Sequence, residues 1–207
     1  MYLHINVELL LLSCGIQVHQ NYIENNSIYQ VVSEAIKLHY ENNKITPYIC
    51  GAIHHLADGN DRNKEIFCKH GVCEVLVSMI KSQSMPFDEN VIMIGLGAVS
   101  TLTTNNKSCT DRFADAGICE IILVALSTHT HDSVIICAIL DALIALTKDN
   151  EENRRFIGTV ETCQIVTDAL QMHSSNSTIV GFGCSLLTNL LQGLAESKAD
   201  AFETMIR

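Results

Sequence analysis

Glu74-Val-Leu-Val-Ser-Met-Ile80 is one of four similar stretches in this chain. The others are Gln30-Val-Val-Ser-Glu-Ala-Ile36, Glu120-Ile-Ile-Leu-Val-Ala-Leu126 and Gln164-Ile-Val-Thr-Asp-Ala-Leu170. Their last apolar positions, 36, 80, 126 and 170, step by 44, 46 and 44. A second ladder, Leu56, Leu102, Leu146 and Leu190, steps by 46, 44 and 44. Two ladders held in phase, at a period of about 40 to 47 residues and with only helical patterning, predict a stacked helical solenoid. In such a chain each unit buries its apolar face against the next, so core grows with repeat number.

Working outward from Glu74, one whole repeat becomes legible. Asn63 to Gly71 predicts a short first helix, Val72 to Lys81 a second, Ser82 to Glu89 a loop with Pro86, and Asn90 to Thr103 a longer third helix. The next unit repeats the plan, with helices over Asp111 to Ala116, Ile118 to Ser127 and Ser133 to Lys148, separated by Gly117 and a loop from Thr128 to Asp132. The third starts at Asn153-Arg-Arg-Phe156 and finishes near Gln192. Phe67, Phe113, Phe156 and Phe202 mark the first helix each time, and Gly71 and Gly117 follow it, where a left-handed residue lets the chain turn. The third repeat carries Gly158 earlier, which predicts a distorted first turn. The expected partition is residues 1–19 as the last helix of a preceding or incomplete repeat, then units over about 20–60, 61–106, 107–150 and 151–193, with 194–207 beginning another.

Composition narrows the function classes. The formal net charge is −10 and the only adjacent basic pair is Arg154-Arg155, which argues against a nucleic-acid binder, since phosphate contacts need clustered Lys and Arg. An acidic surface suits basic partners or simple solubility. Nine cysteines raise the question of a disulfide framework. Cys73 and Cys119 sit at equivalent places and Cys163 beside the same register; residues one period apart lie about 10 Å apart across stacked helices, too far for a bridge. The reading is reduced, buried thiols in the cytosol or nucleus. Val7-Glu-Leu-Leu-Leu-Leu-Ser-Cys14 lacks the basic start of a signal peptide, and Leu12 joins the leucine ladder, so it reads as repeat helix. No run reaches the roughly 18 apolar residues of a membrane span, and no membrane insertion is expected.

Several residue clusters are rich in metal-ligating or catalytic side chains. Cys68-Lys-His70-Gly-Val-Cys73 and His129-Thr-His131 lack the paired ligand sets of a structural zinc site, so no metal and no cofactor is expected. His54 and Asp58 share a helical face, but no nucleophile is placed by a recognisable motif. No phosphate-binding loop or dinucleotide fingerprint occurs, and no catalytic residue is assigned.

The Asn63, Phe67, Gly71 spacing, the apolar second helix, and Ala-Val-Ser-Thr-Leu102 or Ala-Leu-Ile-Ala-Leu146 in the third resemble the armadillo repeat over about residues 20 to 207. Ala52, Ala98 and Ala142 match the small residue of the family's third helix. The resemblance implies an all-α fold, a right-handed alpha-alpha superhelix of about four three-helix repeats, whose third helices line a concave groove for an extended peptide. Importin-alpha-like members present Trp and Asn there. This chain has Gly51, Gly97, Asp141 and Ser185 at the Trp positions and His55, Thr101, Ala145 and Asn189 at the Asn positions, so only Asn189 fits. The basic groove of catenin-like members is also missing. What remains is a shallow groove in which Gly51, Gly97, Gly181 and Gly183 either admit a partner backbone or serve helix packing. The expected function is a non-catalytic interaction scaffold that binds a protein or peptide through exposed His55, Thr101, Asp141 and Asn189, with Asp141 suiting a basic residue. The alternative is a regulatory segment of a larger protein, controlling a neighbouring catalytic or membrane-targeting region.

Overall fold

The computed structural model describes residues 28–42, 44–82 and 89–206. Among these the chain is all-helical, with eleven helices and no strand. The expectations for residues 1–19, Cys14 and the Pro86 loop lie outside the described residues. The chain divides into two compact units, Met1–Ala116 and Gly117–Arg207.

In the first unit α1 (Ile28–His39), α2 (Thr46–Ala57), α3 (Asp61–Lys69), α4 (Val72–Ser82), α5 (Glu89–Thr103) and α6 (Lys107–Asp115) follow one another. Pro47 sits in the first turn of α2, where the missing N–H costs nothing. The α2 and α5 helices, one repeat apart, pack side by side, and so do α3 and α6. The second unit holds α7 (Ile118–Thr128), α8 (Ser133–Thr147), α9 (Glu151–Ile157), α10 (Val160–Met172) and α11 (Ser177–Ile206), with α8 against α11.

Both ladders lie in the core. Leu56, Leu102, Leu146 and Leu190 are all buried, as are Ile36, Ile80 and Leu126; Leu170 is half-buried against Gly183. Each fully buried leucine contributes roughly 1.5–3 kcal/mol. Between first and second helices Gly71 and Gly117 have φ of 77° and 83°, the left-handed conformation expected there. Gly158 has φ −74° and ψ 58°, so the third turn is built differently, in line with the expected distortion.

A third ladder starts the first helices. Asn60, Asn106 and Asn150 each cap one, the side-chain oxygen accepting from the backbone N–H of Asn63, Cys109 and Asn153. Asn106 had read as the end of a unit; it is the start of α6, which begins at Lys107 rather than Asp111. Asn63 then donates to the Leu56 carbonyl at 2.6 Å and accepts from the Tyr29 hydroxyl at 2.5 Å. Asn153 donates to the Leu146 carbonyl at 2.9 Å, and the Cys119 thiol points at its oxygen.

Three expectations are corrected. Phe156 does not fill the place of Phe67 and Phe113: it is 48% exposed, and Ile157 is the buried residue. Counting four residues from the capped Asn gives Phe67 and Ile157, so spacing and not aromatic identity sets the register. The third helix of the last repeat does not stop near Gln192; α11 continues unbroken to Ile206. Its Ser177–Ala195 stretch, with mean hydropathy 1.4, is long and apolar enough to cross a membrane by length and composition. In the structure α11 packs on α8, α9 and α10, and Ile179, Leu186 and Leu190 on it are fully buried.

The third correction concerns the thiols. Cys68 on α3 and Cys109 on α6 form a disulfide, with Cα atoms 5.8 Å apart and a sequence separation of 41. The argument from one full period does not apply, because this pair is shorter than a period. Cys109 stands where other repeats carry Asn63 and Asn153, and α6 lies directly against α3. Closing a 41-residue loop removes unfolded-chain entropy equivalent to about 4 kcal/mol. Among the described residues Cys50, Cys73, Cys119, Cys137, Cys163 and Cys184 are free. Burial pushes the thiols of Cys50, Cys73 and Cys119 up to about 12, and Cys163 is only half-buried.

Candidate interaction surface on the third helices

The residues expected to bind a partner lie on α2, α5, α8 and α11, two in each unit, and they differ in what they can offer. In the first unit His55 is exposed on α2. Thr101 on α5 is 9% exposed and is committed inward. Its hydroxyl donates to the Gly97 carbonyl at 2.9 Å and lies 2.5 Å from Nδ1 of His54. A threonine hydroxyl has one proton, so with that proton given to Gly97 it accepts from His54, whose Nδ1 carries the hydrogen. The expectation of an exposed Thr101 is therefore overturned. His54, which sequence paired with Asp58, instead reaches across to the next repeat, and its ring meets that of His55 edge-on with centroids 5.1 Å apart.

In the second unit Asp141 on α8 is half-buried, and it raises the pKa of Cys137 one turn earlier, after the larger effect of burial. Asn189 on α11 is half-buried too. Its amide donates to the Thr147 hydroxyl at 3.0 Å, and Thr147 in turn donates to the Leu143 carbonyl at 2.7 Å. His54–Thr101 and Asn189–Thr147 are thus equivalent devices: a polar rung between consecutive third helices, anchored on a helix carbonyl. Sequence singled out Thr101 and Asn189 but not these pairings, because the partners lie 47 and 42 residues away.

Four glycines separate into two groups. A Cβ built on Gly51, Gly97 or Gly181 would meet nothing within 4 Å, whereas on Gly183 it would run into Leu170. Gly183 thus serves packing. Gly51 and Gly97 lie one turn before His55 and Thr101, and so on the same helical faces, with bare backbone toward open space. Glycine inside a helix costs about 1 kcal/mol relative to alanine, and no neighbour demands it here. A separate shallow depression lies at the α1–α2 turn, lined by Leu38, His39, Glu41, Asn42 and Lys44.

No family model matches this chain, and no curated protein does. Similar solved structures exist. One crystal structure described as an engineered protein of the Northeast Structural Genomics Consortium is 19% identical, with a TM-score of 0.75, covering 89% of this chain and 71% of that one. A second engineered protein from the same consortium is 18% identical, with a TM-score of 0.74, over 88% of this chain and 42% of its own. At this identity the likeness is one of helical fold.

Proposed function

We propose that this chain is an armadillo-type repeat segment, a right-handed superhelix that serves as a non-catalytic scaffold for a protein or peptide partner along its third helices. The observation that carries the reading is the open strip of Gly51 and Gly97 beside exposed His55. Two uncrowded helix glycines at equivalent places cost stability without serving the core, and a close-lying partner backbone gives them a use. The repeated Asn caps, the left-handed Gly71 and Gly117 and the leucine ladder support the repeat type. Asp141, half-buried and anionic, fits a basic side chain on the partner. A cytosolic or nuclear location belongs to the same proposal; among the described residues the six free thiols favour it and the single Cys68–Cys109 bridge opposes it.

Photo-crosslinking in native lysate tests it. A crosslinking residue is placed singly at Gly97, His55 and Asp141, and for comparison at Val124 and Val160, which are 59% and 77% exposed on second helices. The scaffold reading expects a shared adduct from the first three positions. An adduct formed only from Val124 and Val160 would move the working surface to the other face.

A further inference from the structure

The thiol of Cys73, on α4, lies 3.2 Å from the sulfur of Cys68, which is bridged to Cys109. All three residues are buried, and their sulfurs lie within 4.8 Å of one another. Three elements meet at this point: the end of α3, the first turn of α4 and the first turn of α6. A bridge needs two sulfurs, and the third does nothing for it. Sulfurs tetrahedrally disposed on a cation at about 2.3 Å stand about 3.8 Å apart, a spacing within reach of this cluster once the bridge opens. We propose that Cys68, Cys73 and Cys109, after reduction of the Cys68–Cys109 bridge, form a three-thiolate site for a thiophilic divalent cation of the zinc and cadmium class.

The donor set selects the ion, since sulfur alone suits closed-shell soft cations and not calcium or magnesium. The balance is simple. A dithiol reductant gives two electrons and two protons to the bridge and is itself oxidised to a disulfide, leaving three thiols. The cation then displaces three protons and takes three thiolates, for a net charge of −1 at the centre, with one coordination position left for an outside ligand. The Arg112 guanidinium lies beside the cluster and donates to the Cys68 carbonyl at 2.9 Å, but it is also paired with Glu74 at 3.1 Å, so the carboxylate offsets its charge and the thiolates are stabilised by the cation itself. Bridge and metal exclude each other, because the bridge consumes two of the three ligands. Sequence pointed at Cys68 and Cys73 and dismissed them for want of a second ligand pair; Cys109 arrives from the next repeat.

The test uses the whole chain, metal-free, reduced in one sample and oxidised in another, each titrated with Cd²⁺ and followed by thiolate-to-cadmium charge-transfer absorption. The expected result is one Cd²⁺ bound per reduced chain, with at least tenfold weaker binding by the oxidised chain. Cys73→Ser and Cys109→Ser should each weaken binding tenfold or more, and Cys184→Ser, at an exposed lone thiol, should leave it unchanged. Circular dichroism checks that the variants remain helical; where one does not, the comparison of the two wild-type samples decides. Failure of the reduced chain to bind, equal binding by both samples, or wild-type affinity in a folded Cys73→Ser chain would each overturn the site.

Discussion

The Asn153 amide donates to the Leu146 carbonyl at 2.9 Å in a buried site, tying the first helix of one repeat to the ladder leucine that closes the repeat before. Asn63 does the same for Leu56 at 2.6 Å. Asn153→Ala removes the donor and leaves a buried carbonyl unpaired, which should cost about 1–3 kcal/mol. Urea unfolding measures it. A cost below about 0.5 kcal/mol, the range of ordinary surface changes, would show that the carbonyl is satisfied without Asn153.

The leucines themselves carry a larger share. Leu102 and Leu146 are fully buried, each within its own unit. Leu→Ala at either should cost about 2–5 kcal/mol through lost burial and the cavity left behind. In a repeat chain the coupling is between neighbours, so hydrogen exchange should accelerate locally rather than throughout. Less than about 1 kcal/mol at both sites would refute the ladder as core.

Phe156 and Ile157 give a test of register with adjacent residues. Ile157 is fully buried and Phe156 is 48% exposed. Ile157→Ala should cost about 2–5 kcal/mol, and Phe156→Ala should stay within about 0.5 kcal/mol. The opposite order in thermal melts would restore the phenylalanine to the core.

Asp132 provides a pH signature. Its carboxylate accepts the N–H groups of Ile135 and Val134 at the start of α8, and these hydrogen bonds hold its pKa below the ordinary 3.8. The lowered value fixes the sign: the cap stabilises fully above the unfolded value of 3.8 and loses its effect as pH falls through the lower folded value. At neutral pH Asp132→Ala should cost about 1 kcal/mol, typical of a lost N-cap. Urea midpoints of the two proteins should converge in strong acid; a constant gap would mean that the carboxylate charge plays no part.

Much of this fold could be read from the chain, and the misses have physical causes. Leu56 to Leu190 and Gly71 with Gly117 were legible because burial and a left-handed turn each demand a particular residue type at a fixed interval. Phe156 misled because a phenylalanine stood one place from the buried position, and the count from Asn153 was the better guide. The Cys68–Cys109 bridge was hidden because it runs between first helices at less than one period. On the surface, exposure of His55 followed from helix phase, but commitment of Thr101 to His54 did not. That contact depends on the offset between α2 and α5, which no local pattern encodes.

Gly71 and Gly158 both stand where a first helix ends, Gly158 three places earlier in its repeat, and they are held there by different demands. At Gly71, with φ 77°, the constraint is handedness, and a mirror-image alanine introduced by chemical synthesis would satisfy it while an ordinary alanine would not. At Gly158, with φ −74°, handedness imposes nothing. There a methyl group would press into the carbonyls of Arg154 and Leu190, the latter 3.0 Å away, so what is required is absence of volume. Asparagine is therefore an acceptable evolutionary neighbour of the first glycine and a forbidden one for the second.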